Sequence, residues 1–256
     1  MTSAVKTVVT PKASAAERVR LYIQPVLVLI VAAAVVFWAF NRDLTATQKE
    51  NINPANVASL IWQHLLITGA VTAIVLLIGV PLGVLVTRPG AKILRPLVIG
   101  VANIGQAAPA IGLLVLLFLL TARTGFWIGV LPIALYSLLP VLASTILGID
   151  QVDRSLIDAG LGQGMSRAAL LLRVELPLAV PYILAGLRTS LVLAVGTATL
   201  SFLVNAGGLG ILIDTGYKLQ DNVTLILGSV LAVCLALLVD WVGGLAEFYV
   251  GPKGLR

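Results

Sequence analysis

Asp158-Ala159-Gly160-Leu161-Gly162-Gln163-Gly164, followed nine residues later by Val174-Glu175-Leu176-Pro177, forms the centre of one long polar interruption in an otherwise apolar chain. Asp150, Asp153 and Asp158 precede Gly164, and Ser166 stands where it can cap a helix running from Arg167 to Leu176, which Pro177 is expected to stop. The stretch from about 149 to 177 therefore reads as an amphipathic helical hairpin with a glycine turn. On periodicity alone, a plain solvated loop competes with that reading.

Outward from this stretch, the chain is apolar almost everywhere. Runs suited to membrane spans cover about 22–40, 61–87, 93–121, 126–148, 178–205 and 222–247. All but the first exceed the roughly 20 residues that a span needs, so tilt or breakage is expected. The third contains Gly105, Pro109 and Gly112 and is the one expected to break within the membrane. The first run could be a secretory signal, but no small-x-small cleavage site follows Trp38-Ala39-Phe40, which favours an uncleaved span. The expected division is a polar tail at 1–21, a first span and outer loop at 22–57, a six-span all-α unit completed by 58–250, and a short tail at 251–256.

Composition carries the same message. Of 256 residues, 59% are apolar and only 11% charged, with a mean hydropathy of +1.05; an ordinary soluble domain has about 25% charged residues. A soluble fold of this size has too little interior for that much hydrocarbon. Six spans leave little room for a self-contained nucleotide-hydrolysing domain. The net charge of +6 does not imply nucleic acid, because the basic residues are scattered between apolar runs. They instead report topology. With a cytoplasmic N-terminus, Lys6, Lys12, Arg18, Arg20, Arg88, Lys92, Arg95, Arg154, Arg167, Arg173, Lys253 and Arg256 fall inside, whereas Arg42, Lys49, Arg123 and Lys218 fall outside. Trp38, Trp62 and Trp127 then mark the outer interface, and both termini are cytoplasmic.

The quoted motif resembles the cytoplasmic signature of permease subunits of binding-protein-dependent ABC importers: Glu-Ala-Ala, three residues, Gly, nine residues, Ile-x-Leu-Pro. The spacing is the same, with Asp158 for Glu, Gly160 for the second Ala and Val174 for Ile. In a helix interior Gly160 is expected to cost about 1 kcal/mol relative to Ala. The resemblance implies that Asp158, Ala159, Gly160 and Gly164 form a coupling helix that docks on a separate ATPase, with Val174, Leu176 and Pro177 in the return to the membrane. Other segments resemble the osmoprotectant branch, which imports glycine betaine, proline betaine, choline or carnitine: Glu175 to Thr189, Gly196 to Leu200, Asn103 to Pro109 and Ala206 to Gly210. The resemblance covers about 58–250. It implies two cytoplasmic ATPase subunits that use the ATP, a second permease subunit, identical or homologous, an extracytoplasmic binding protein, and a bacterial plasma-membrane location. No cofactor is expected on this chain.

Polar residues inside the spans offer further candidates. Ser190, Ala194, Thr197, Ser201 and Asn205 share one stripe of an ideal helix, while Asn103, Gln106 and Ala110 share another. Such residues either pack helices together or line a translocation path for a zwitterion, and both readings stay open. Arg188 and Asp240 are charges well inside spans at matching depth, so they are expected to pair; a gate or substrate contact for Arg188 is the alternative. His64 has no nearby ligand or catalytic pattern and is assigned no chemistry, and Cys234 reads as a small buried hydrophobe. No phosphate loop, nucleophile elbow, zinc motif or other metal site is present in the sequence. A permease for methionine or another small solute, and an ion-coupled secondary transporter, are the alternatives to an osmoprotectant importer.

Overall fold

Apolar length makes the spans, and small residues decide how closely they approach. The computed structural model describes residues 15–250, with side chains from Tyr22 onward. The tail residues 1–14 and 251–256, and with them Lys6, Lys12, Lys253 and Arg256, lie outside the described residues, as do the side chains of Arg18 and Arg20. Every element described is helical: α1 Ala15–Phe40, α2 Ala46–Asn51, α3 Pro54–Thr87, α4 Arg95–Ala107, α5 Ala110–Thr121, α6 Phe126–Asp150, α7 Arg154–Gly162, α8 Arg167–Leu170, α9 Leu176–Ala198, α10 Gly210–Lys218 and α11 Asn222–Val250. The first helix thus begins at Ala15 instead of Tyr22, its polar first turns continuing the span below the apolar run.

Among the described residues, five helical segments are long and apolar enough to cross a membrane. The pair α4–α5 adds a sixth passage, bent by 100° at Ala108–Pro109. Pro109 has no N–H to continue α4, and Ala108 before it is extended (ψ 140°), as the residue preceding a proline prefers. Contacts at the two ends show that the bent pair connects opposite ends of the bundle. Arg95, at its start, meets Asp150 at the end of α6. Beyond its finish, the Gly125 N–H donates to the Val204 carbonyl, 2.7 Å away, at the other end.

One buried cluster lies between α3, α6 and α9, where Ile67, Val71, Val75, Ile133, Val141, Ala194 and Ala198 pack together, and another joins α1, α3, α10 and α11 through Ala39, Leu60, Leu212 and Leu227. Glycines set the crossing distances. A Cβ on Gly186 would lie 2.6 Å from the Pro140 carbonyl oxygen and from Ser144, and one on Gly83 would lie 2.7 Å from Thr145. Backbones this close gain dispersion contact that Leu-lined helices cannot reach. Helix α1 packs mainly along α11, antiparallel to it, where Gln24 Nε2 donates to the Leu237 carbonyl at 3.2 Å.

Candidate functional site

The loop between α6 and α9 is an ordered hairpin. Asp153 caps α7, accepting the Ser155 N–H at 2.8 Å. That backbone bond, with the Ser155 hydroxyl, holds the Asp153 carboxyl below its ordinary value. The cap is therefore intact above the unfolded-state pKa of about 3.9 and is lost only as pH falls through the lower folded value. Helix α7 ends in a paired-bond turn, with Met165 N–H donating to the Gly160 carbonyl (3.1 Å) and Gly164 N–H to the Leu161 carbonyl (2.9 Å). Gly164 sits at φ +81°, a conformation that strains any residue with a side chain.

Gly160 does more than tolerate its position. It is buried, and a Cβ there would lie 2.6 Å from Leu170 Cδ1, so its bareness lets α7 close on α8. The helix-propensity cost expected from sequence is offset by that contact. Asp158, Ala159 and Gly164 are exposed, beside Leu156 and Leu161, at 47% and 44%. Two exposed leucines flanking a carboxylate on a short ordered helix form a surface suited to a protein partner.

Beyond the turn, Ser166 caps α8, accepting the Ala169 N–H at 3.2 Å. Pro177 does not stop the helix, contrary to the sequence expectation. Residues Leu171–Glu175 widen into a π-helical turn, in which the Leu176 N–H reaches back to the Leu171 carbonyl. Pro177 follows that widened turn within one continuous helical run, and the wider turn is the irregularity that accommodates it. Val174, Leu176 and Pro177 thus lie on one continuous path into the span. Glu175 is buried beneath them and receives both arms of the Arg88 guanidinium, Nη1 to Oε1 at 3.1 Å and Nη2 to Oε2. Sequence reasoning missed this pair; a lone acid inside an apolar-flanked return segment was its available signal.

Within the spans, Arg188 Nε and Nη2 donate to the two oxygens of Asp240 at 2.7 and 2.9 Å, and Glu247 stands 3.6 Å from Nη1. Gly243 and Gly244 give the arginine its room, with Cβ positions 3.2 and 3.5 Å from its side-chain atoms. The polar stripe of the fifth span fares differently. Ser190 is buried and donates to the Ser137 carbonyl of α6 at 2.8 Å. Ser201 is buried and donates to the carbonyls of Ala198 and Gly207. Thr197, half-buried, bonds to the Leu193 carbonyl of its own helix, and Asn205 is exposed at φ +55°. Ser190 to Ser201 keep one inward side, and Asn205 leaves it just beyond the 3₁₀ turn at Thr199–Val204. The exposed side of α9 carries Thr189, Val192 and Gly196 instead. Asn103 is exposed and Gln106 half-buried on α4, away from the buried serines.

His64, assigned no chemistry from sequence, stands at the centre of a packed junction. It is fully buried; Nε2 lies 3.0 Å from the Val195 carbonyl, and the Leu209 N–H donates to Nδ1 at 3.3 Å. The pairing selects the neutral tautomer with its proton on Nε2. Gln63 beside it accepts the Gly208 N–H at 3.1 Å. Together they fasten the Ala206–Gly210 turn to α3. Cys234 is buried. Among the described residues, no group of three or more His, Cys, Asp or Glu side chains is placed to hold a metal ion.

The family model described as "Binding-protein-dependent transport system inner membrane component" matches residues 79–248, from the middle of α3 to the end of α11. The chain belongs to this family. As an ABC permease it is a polytopic, all-α membrane protein, and the family's subunits carry no ATPase site of their own. The hairpin lies inside the matched residues, and α1 lies outside them. Among curated relatives, the osmoprotectant import permease protein OsmW of Salmonella typhimurium is 37% identical over 208 residues, 80% of this chain and 96% of that protein. The glycine betaine/carnitine/choline transport system permease protein OpuCB of Bacillus subtilis is 37% identical over 194 residues, 76% of this chain and 88% of that one. Among solved structures, the inward facing MetNI methionine ABC transporter aligns with a TM-score of 0.66 at 25% identity, covering 77% of this permease and 96% of that chain.

Proposed function

We propose that this permease forms half of the pore of an ATP-driven importer for a quaternary-ammonium osmoprotectant such as glycine betaine, proline betaine, choline or carnitine. One observation carries the substrate class: relatives named for osmoprotectant, carnitine, choline and glycine betaine transport match about four-fifths of the chain at 33–37% identity. The likeness to a methionine transporter is weaker in sequence, at 25%, and speaks for the shared fold.

The chain itself binds no nucleotide and catalyses no reaction; a separate pair of cytoplasmic ATPase subunits consumes the ATP. The α7–α8 hairpin, with Asp158, Ala159, Gly160 and Gly164 at its tip, docks on one of them. ATP binding draws the two ATPase subunits together and carries the hairpins of the paired permeases with them, opening the pore outward; hydrolysis resets it. A second permease, identical or homologous, supplies the other half. Orientation follows the basic residues: Arg88, Lys92, Arg95, Arg154, Arg167 and Arg173 gather at the hairpin end, which faces the cytoplasm together with both termini. Recognition of quaternary ammonium groups commonly uses aromatic cages. With only 6% aromatic residues, this chain leaves high-affinity selection to an extracytoplasmic binding protein.

Ser190 and Ser201 act as packing residues in this reading, whereas Asn103, Gln106 and Thr197 remain the candidates for weak contacts along the path. The test is uptake of labelled glycine betaine, choline, carnitine and methionine by cells that lack their other carriers and express this permease with its partner subunits. Uptake of a quaternary ammonium solute is expected; uptake of methionine alone would overturn the substrate assignment.

A further inference from the structure

Both ends of the hairpin are fastened to the same neighbour. Asp150, the last residue of α6, meets Arg95 Nη1 at 2.7 Å. Glu175, the last residue of the π-helical turn, receives the fork of Arg88. Arg88 caps the C-terminus of α3 and Arg95 opens α4, so the two arginines bound a single short connection. That connection is not slack: Ala91 N–H donates to the Arg88 carbonyl at 3.0 Å and Leu94 N–H to the Ala91 carbonyl at 2.9 Å. A displacement of the hairpin moves two carboxylates, and both act on one compact strap. Helix α4 leaves that strap directly and runs to the 100° break at Ala108–Pro109.

The two links differ in stiffness. The Glu175 side chain is 5% exposed and held bidentate, which fixes orientation as well as distance. The Arg95–Asp150 pair is 30% and 41% exposed and joined at one point, so it constrains distance alone. The π-helical turn sits between the hairpin and α9, with its hydrogen bonds spaced one residue wider than in an α-helix, and Glu175 marks its end. The stiff link is therefore placed where the hairpin joins the span.

We infer that the Arg88–Arg95 segment is a transmission strap carrying movement of the hairpin into the broken span α4–α5, with Arg88 and Arg95 as positioning residues. The inference rests on the reading that the hairpin docks on an ATPase. It assigns the bent α4–α5 passage as a moving part of the pore wall.

The test uses the complex purified with its ATPase and reconstituted in nanodiscs, in a Cys234→Ala background. Spin labels at Gln163 and Tyr217 report the hairpin, and labels at Asn103 and Tyr217 report α4. Both distances are expected to change between nucleotide-free and ATP-bound states. Glu175→Gln and Arg95→Asp are each expected to preserve the Gln163 change while reducing the Asn103 change, and transport per ATP, by about twofold or more. Adding Asp150→Arg to Arg95→Asp is expected to restore both, since that pair is exposed enough to accept reversal. A full Asn103 change in both single variants would overturn the strap and leave docking intact. Loss of both changes together in those variants, or a swap that restores nothing, would reduce the arginines to structural supports and overturn it as well. A Gln163 distance that ignores ATP in the unaltered complex would overturn the docking reading, and the strap with it.

Discussion

His64 shows how much one buried side chain can organise at the end of a span. Its two ring nitrogens serve a carbonyl of α9 and an N–H of the glycine turn, so it closes a junction among three segments. Replacing it with Leu keeps bulk but leaves the Leu209 N–H and the Val195 carbonyl short of a partner, at about 1–3 kcal/mol for each group left unsatisfied. His64→Leu is therefore expected to lower the thermal unfolding midpoint in detergent, and His64→Gln to lower it less. Gly186 makes a steric counterpart. Ala at that position would push α9 off the Pro140 carbonyl, at a cost of about 1–3 kcal/mol. The same unfolding measurement should register it, whereas Gly69→Ala, which meets nothing within 4 Å, should be nearly silent. In sequence, His64 is one polar residue in an apolar run. Its partners lie 131 and 145 positions away, beyond the reach of any local period.

At the scale of elements, the Arg188–Asp240 pair ties α9 to α11 in the half of the bundle nearest the hairpin. Either charge alone within the hydrocarbon would cost about 2.5–3.5 kcal/mol. Arg188→Gln and Asp240→Asn are each expected to reduce the amount of folded permease recovered from membranes. The exchange Arg188→Asp with Asp240→Arg should recover part of it, because the pair is kept with its charges reversed, and only part, because Glu247, which stands beside Arg188, would then face a second carboxylate. Recovery no better than either single variant would show that the pair does not brace the two helices. Matching depth alone could propose this partnership, since two charges in apolar spans have few places to go. The polar stripe of the fifth span left packing and path both open, and its residues from Ser190 to Ser201 keep one inward side. Only Asn205, beyond the 3₁₀ turn at Thr199–Val204 and in a left-handed conformation, leaves that side. Pro177 misled because a π-helical turn just before it lets the helix run on, a local widening that no sequence period announces.

For the molecule as a whole, apolar length dictated the spans, and the polar hairpin stood out by contrast. Both features are local and survive without knowledge of the neighbours. What sequence could not supply were the links at the base of the hairpin: Arg88 to Glu175 spans 87 positions, and neither residue has a periodic signature. The proposed orientation makes a separate prediction. Single cysteines at Gln163 and Tyr217, at opposite ends of the bundle, should react with a membrane-impermeant thiol reagent only from the cytoplasmic and the outer side respectively. The reverse pattern would invert the topology.

A pore without its own ATPase site must be driven by another subunit, and the hairpin is the proposed point of contact. Proteoliposomes containing the assembled complex and its binding protein test it most directly, with uptake and ATP hydrolysis measured together for the unaltered permease and for Gly164→Trp. Gly164 sits exposed at φ +81°, so the substitution strains the turn of the hairpin without entering the bundle. Uptake is expected to require ATP on the hairpin side and to fall at least about tenfold in the variant, a loss of about 1.4 kcal/mol in coupling, while the complex remains folded. Uptake that persists without ATP and collapses with an ionophore, or that is unchanged in the variant, would contradict it.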